Sequence, residues 1–159
     1  LFREIAREIT GTEVKSAYPS MDRIMAEYVP SSSPLNVSTL FSGSRNEPEK
    51  RGSIENIGID NLTMASLCDG FMRGMASELY DNYEQMKPYL EDARTSMVGS
   101  GNGIRYNAAL KRRFEAIFGM PMLIPAQKEE AAFGACLFGA VSAGIYGDIS
   151  EAQRLIKYI

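Results

Sequence analysis

The segment that most constrains this chain is "MVGSGNGIRYNAAL", residues 97–110. Gly99, Gly101 and Gly103 stand at every second position, which strips side chains from one stretch of backbone and permits positive φ or close approach of another group. Residues 95–98, "TSMV", have the character of a short buried strand. Asn107 stands where a helix N-cap belongs. Leu110, Phe114, Ile117 and Phe118 then recur at helical spacing, and Gly119 supplies the C-terminal cap. A strand, a glycine turn and a helix in this order form a unit of α/β architecture, whose ligands bind beyond the carboxyl ends of strands.

The glycine spacing narrows what such a ligand could be. A phosphate cradle of the G-x-x-x-x-G-K-[ST] kind needs a Lys and a Ser/Thr that do not follow Gly103. A dinucleotide turn needs G-x-G-x-x-G and an acid after the next strand; this loop is G-x-G-x-G, and "MLIPAQ" ends without one. Two readings stay open: a tight turn and nothing more, or a seat for a flat group laid on bare main chain. Asn102 and Asn107 add polar groups able to meet an adenine or ribose edge. The helix after Asn107 also aims its N-terminal N–H groups towards the loop.

The remaining segments fit one α/β domain. Helical periodicity is already running at residue 1 in "LFREIAREI", without a starting Met or cap, so the chain is expected to be a piece of a longer protein. A short helix is expected over residues 21–29, then strands at 37–41 and 53–59 around a polar loop. A long helix is expected from about residue 60 to 87, with Met64, Leu67, Cys68, Phe71, Met72, Met75 and Leu79 as its apolar stripe. Gly70 and Gly74 cost that helix ~1 kcal/mol each relative to Ala, so a closely packed neighbour is expected there. "MPMLIPA" is a further strand. The run after Glu130 is uncharged up to Asp148, with Ala131, Ala135, Gly139 and Ala143 on one stripe. It is too short and too rich in Gly and Ala for a membrane span, and reads as a helix buried on nearly all sides. Ser150 and Gln153 suggest a capping box opening a last amphipathic helix through Leu155 and Ile156.

Composition excludes several functions. There is no histidine, which removes His-based triads and His metal sites. A net charge of −3 offers no electrostatic case for nucleic acid or an anionic membrane. Cys68 and Cys136 both fall in apolar helical patterns and read as buried, reduced thiols of a cytoplasmic protein.

Taken in order, the stretch "VGSGNGIRYNAALKRRFEAIFGMPMLIPAQKEEAAFGACLFGAVSAGIYGD" resembles the C-terminal end of the FGGY carbohydrate kinases. The family's glycine loop, its helix ending in G-x-P-V and its E…A-x-G-A-A helix follow in this order. Upstream, "LFSGSRNEPEKRGSIENI" is similar to the family's G-E-R-x-P…R-G segment, with Arg45, Pro48, Arg51 and Gly52 in matching places, and residues 61–86 resemble the long helix after it. The resemblance implies a partial ribonuclease H-like domain of the actin/hexokinase type, with a mixed sheet flanked by helices. It implies that residues 1–159 are the later part of the nucleotide-binding domain of a two-domain sugar kinase whose N-terminal domain lies elsewhere in the chain.

Gly99, Ser100, Gly101 and Asn107 would then line an adenosine pocket, with Asn102 beside them. Arg45 and Arg51 would anchor the loop between the strands, and Glu129 would be a favourable charge at a helix N-terminus. ATP and Mg²⁺ are the implied cofactors and a sugar hydroxyl the acceptor. The catalytic base and phosphate grip would lie upstream, so this chain alone should be inactive. The loop is longer than in commoner members by residues 103–106, a form similar to sedoheptulokinases. Another ketose or polyol kinase, or a non-catalytic sensor of sugar or nucleotide, is the competing reading. A sheet short of its opening strands leaves an edge and apolar surface through which the chain could self-associate.

Overall fold

The computed structural model describes residues 2–159. The chain forms two compact units that divide between Gln85 and Met86. No helix of the described residues is long and apolar enough to cross a membrane.

In the first unit, α1 (Phe2–Thr10) carries the expected helical pattern, but none of its residues is buried and Ile9 is 79% exposed. Leu1 lies outside the described residues. Helix α2 (Tyr18–Glu27) starts earlier than expected, with Pro19 in its first turn, where a missing N–H costs nothing. Strands β1 (Asn36–Ser38) and β2 (Ser53–Glu55) pair antiparallel, with Val37 opposite Ile54. Both are shorter than their β-branched runs suggested. After β1, Thr39 turns towards the long helix α3 (Met64–Met86), donating its backbone N–H and hydroxyl to the Glu78 carboxylate at 2.6 and 2.7 Å. The loop between β1 and β2 is tied in part by Arg51, whose guanidinium donates to the Pro48 and Lys50 carbonyls. Arg45 is exposed in the same loop.

Helix α3 begins four residues later than its periodicity implied. Asn61 is spent on the preceding loop: its Oδ1 accepts from Gly58 N–H, and its Nδ2 donates to the Ser33 and Asn56 carbonyls. Thr63 is the effective cap, accepting from Ser66 N–H at 3.1 Å. The buried face also differs from the expected stripe. Met64, Met75 and Leu79 are exposed, while Ser66, Asp69, Gly70, Gly74 and Ala76 are buried with Cys68 and Met72. The glycines are the reason. A Cβ on Gly70 would stand 2.7 Å from Val37 Cγ2, and one on Gly74 would strike the Val37 carbonyl oxygen. Strand β1 therefore lies on the helix backbone, and the bulky residues flank that contact. Burial pushes the Cys68 thiol pKa up.

The second unit is built on a parallel pair, β3 (Met97–Val98) with β4 (Met122–Leu123). No single mixed sheet forms among the described residues: the antiparallel β1–β2 pair and the parallel β3–β4 pair are separate. Between β3 and β4 run α4 (Asn102–Arg105) and α5 (Ala108–Phe118). Asn107 caps α5, its side chain accepting from Leu110 N–H at 2.9 Å, and Gly119 ends it at φ 66°. Glu115 on α5 accepts from Met122 N–H, which fixes helix to strand.

Two expectations fail in the last third. Helix α6 (Glu130–Ser142) is not buried on all sides: only Leu137 is buried, Phe138 is 64% exposed, and the small residues Ala131, Ala135, Gly139 and Ala143 face solvent. Cys136 on the same helix is exposed, not buried. The final helix is a single turn, α7 (Ile149–Ala152), followed by a 3₁₀ turn at Gln153–Leu155. Its cap is Asp148, which accepts from Glu151 N–H at 2.8 Å, while Glu151 accepts from Gly147 N–H. Aspartate two positions earlier thus takes the role assigned to Ser150. The last residues are extended, with Ala126 N–H donating to Lys157 and Ile159 N–H to Ile124. That pairing brings Ile156 and Tyr158 back to the end of β4.

Candidate nucleotide site

The glycine loop leaves β3 at its carboxyl end, and its three glycines serve three different needs. Gly99 lacks a positive φ, but a Cβ there would lie 2.5 Å from Met122 Sδ on the neighbouring strand. Gly101 sits at φ 89° and ψ 161°, a region closed to other residues, and starts α4. Gly103 lies inside α4 with open space where its Cβ would be. The segment read as loop extension, residues 103–106, is therefore largely a helical turn. Tyr106 and Asn107 complete it with N–H bonds back to Asn102 and Ile104.

A cleft of about 200 Å³ opens beside this turn. Val98 and Ser100 form one side, Pro125 and Gln127 the segment after β4, and Glu130, Phe133, Gly134 and Leu137 of α6 the opposite wall; Ile156 and Tyr158 complete it. The lining is mostly apolar, with a few polar groups at its edge, the usual make-up of a site for a flat organic ligand. Gly134 has nothing within 4 Å of the place a Cβ would occupy, so α6 offers bare backbone there. A larger hollow, lined by Arg3, Glu4, Arg7, Glu13 and Val14, sits beside α1 and is largely charged, with Arg3 engaged to the Val14 carbonyl and the Glu13 carboxylate.

Of the residues expected to bind, Ser100 lines the cleft. Gly101 borders it through its N–H, which donates to Glu130 Oε1 at 3.3 Å. Gly99 packs against β4 instead of facing a ligand. Asn102 is exposed as the first residue of α4, and the Asn107 carbonyl oxygen is committed to its capping bond.

The polar centre of the site carries no sequence motif. Arg105 of α4 donates through Nη2 to the Pro125 and Gln127 carbonyls at 2.8 and 2.6 Å and to Glu130 Oε1 at 2.6 Å. Its side chain is 8% exposed and that of Glu130 is 20% exposed. The Arg105 guanidinium holds the Glu130 carboxyl below the usual carboxylate range, helped by the backbone N–H groups of Glu130 and Gly101. Gln127 Oε1 is buried at the cleft wall without a donor. Glu129 stands at the N-cap of α6, the helix end where its charge was expected, without a side-chain capping bond, and Glu130 follows it in the first turn. The only local signal is an Arg on the extension and an acid at the head of α6, 25 residues apart. Among the described residues no cluster of acids and cysteines is suited to a metal ion.

This arrangement matches the fold of a segment of several solved carbohydrate kinases. Gluconate kinase from Lactobacillus acidophilus matches 94% of this chain at a TM-score of 0.78 and 14% identity. Xylulose kinase from Rhodospirillum rubrum matches 97% at 0.76 and 16% identity, and Plasmodium falciparum glycerol kinase with ADP matches 86% at 0.70 and 16% identity. The chain spans less than a third of their length, 30%, 31% and 27% respectively. No family model and no curated protein sequence matches it.

Proposed function

We propose that this chain is the adenosine-binding part of an ATP-dependent sugar kinase of the FGGY type. The observation that carries the proposal is the mostly apolar cleft at the carboxyl ends of β3 and β4, bounded by the glycine turn and by bare α6 backbone at Gly134. A purine fits such a slot: its faces suit Phe133 and Leu137, and Gln127 Oε1 is an acceptor that the protein itself leaves unsatisfied. Ser100 and Gly101 would meet the ribose side, with Gly99, Asn102 and Asn107 shaping the turn around it. The carbohydrate kinases that share the fold support the same reading, one of them having been solved with ADP.

Phosphoryl transfer needs a positioned hydroxyl, a base and charge neutralisation around the γ-phosphate. In this reading metal and phosphate handling fall to the remainder of a two-domain, cytoplasmic enzyme, of which residues 1–159 are the later part of the nucleotide-binding domain. The isolated chain is accordingly proposed to be inactive. The proposed acceptor is sedoheptulose, on the longer glycine loop; the xylulose, gluconate and glycerol kinases among its structural relatives favour a wider panel of ketoses and polyols as the second reading.

Calorimetric titration of the whole protein with ADP, followed by a coupled assay over that panel, tests both levels. Saturable ADP binding that Gly134→Leu abolishes supports the cleft. Binding unaffected by Gly134→Leu would place the nucleotide elsewhere, and no phosphorylation of any sugar would leave a nucleotide-binding protein that is not a kinase.

A further inference from the structure

Helix α4 and the head of α6 share one feature that the adenosine cleft does not explain by itself. Arg105 reaches from α4 under the glycine turn and joins three acceptors: two carbonyls of the segment after β4 and the Glu130 carboxylate. The same Glu130 oxygen accepts from Gly101 N–H, the residue whose φ of 89° sets the turn. The backbone of the turn, the end of β4 and the first turn of α6 are thus tied at one point. All three supply walls of the cleft. A charge-assisted network of this kind, with its Arg105 end buried and Glu130 half-buried, is stiffer than a surface ion pair.

We infer that Arg105 and Glu130 are positioning residues for the nucleotide, a clamp that holds the cleft at binding width before ligand arrives. The inference rests on the nucleotide reading above and adds to it a role for the helical turn at residues 102–105. Arg105 is absent from the cleft lining; Glu130 is part of it, but its Oε1 is committed to Arg105 and Gly101, so the pair acts through the walls it fixes. Preorganisation lowers the ordering cost of binding, so loss of the clamp weakens affinity without altering the chemistry of transfer. Lysine is a poor substitute for Arg105, because one ammonium cannot span the same set of acceptors in a fixed plane.

The test uses the whole protein with Arg105→Met, Arg105→Lys and Glu130→Gln, reading ADP affinity by calorimetry, KM and kcat with a sugar substrate, and exchange of the Gly101 amide by NMR. The expected result is a loss of ADP affinity of about tenfold in Arg105→Met, equivalent to about 1.4 kcal/mol, with a smaller loss in the other two. KM for ATP rises while kcat and the sugar KM stay within twofold, and the Gly101 amide exchanges faster in all three. Glu130→Gln preserves shape, so it keeps the test open if Arg105→Met fails to fold. Folded variants with unchanged ADP affinity would overturn the clamp. A wild-type protein that binds no ADP would instead overturn the nucleotide reading, which separates the two failures.

Discussion

Helices α3 and α6 carry the same device with opposite outcomes. Each has two glycines, Gly70 and Gly74 four residues apart in one, Gly134 and Gly139 five apart in the other. In α3 both glycines are buried, and strand β1 lies against the helix backbone at Val37. In α6 neither glycine has a neighbour within 4 Å of a would-be Cβ, and one side chain of the whole helix is buried. Helix α3 is held along its face. Helix α6 has its strongest polar tie at its first turn, through Glu130 to Arg105 and Gly101. A small-residue stripe therefore reports that close approach is permitted, and says nothing of whether the approaching partner is in the same stretch of chain.

The comparison can be broken most forcefully at Gly74. Gly74→Ala should destabilise the first unit by about 3 kcal/mol, since the obstructing atom is a backbone carbonyl that cannot rotate aside. Urea unfolding measures it, and a loss under 1 kcal/mol would mean β1 does not lie against α3. Gly70→Ala is the milder probe, at about 1–2 kcal/mol, because Val37 Cγ2 belongs to a side chain with some freedom to adjust.

The next effect concerns the end of α6. The Glu130 carboxyl has a depressed pKa in the folded chain, so its contribution is fully present above its ordinary value of 4.5 and is lost as pH falls through the lower folded value. The stability difference between wild type and Glu130→Gln should thus shrink as pH is lowered from neutrality to below about 4. A difference that stays constant over that range would remove the ion pair from the account. The smallest effect should have the opposite sign. Gly139→Ala, in the helix interior with open space around it, should stabilise the second unit by up to about 1 kcal/mol, seen as a raised Tm. Destabilisation there would show that α6 has a partner closer than the described chain provides.

Several features could be read from residues alone because they rest on local chemistry. The Asn107 cap, the Gly119 stop and the strand, glycine turn and helix around them depend on contacts within a few residues, and all stand in the structure. The close packing at Gly70 and Gly74 was also legible, since two costly glycines in one helix call for a reason. The Ser150 cap was misplaced because Asp148 and Glu151 satisfy the same N–H groups with charged acceptors. At the candidate cleft, Ser100 belongs to a glycine motif visible in the sequence, whereas Arg105, Gln127 and Glu130 stand in no motif that spacing would single out.

By itself, then, the sequence determined the strand, glycine turn and helix around residues 97–118, the Asn107 cap and the Gly119 stop, because sterics and hydrogen bonding act over a few residues. Tertiary structure alone decided which glycine was needed for φ and which for contact, which faces of α3 and α6 meet another element, and that Arg105 meets Glu130. Those outcomes depend on atoms far apart in the chain coming within a few ångströms, and neither periodicity nor spacing carries that information.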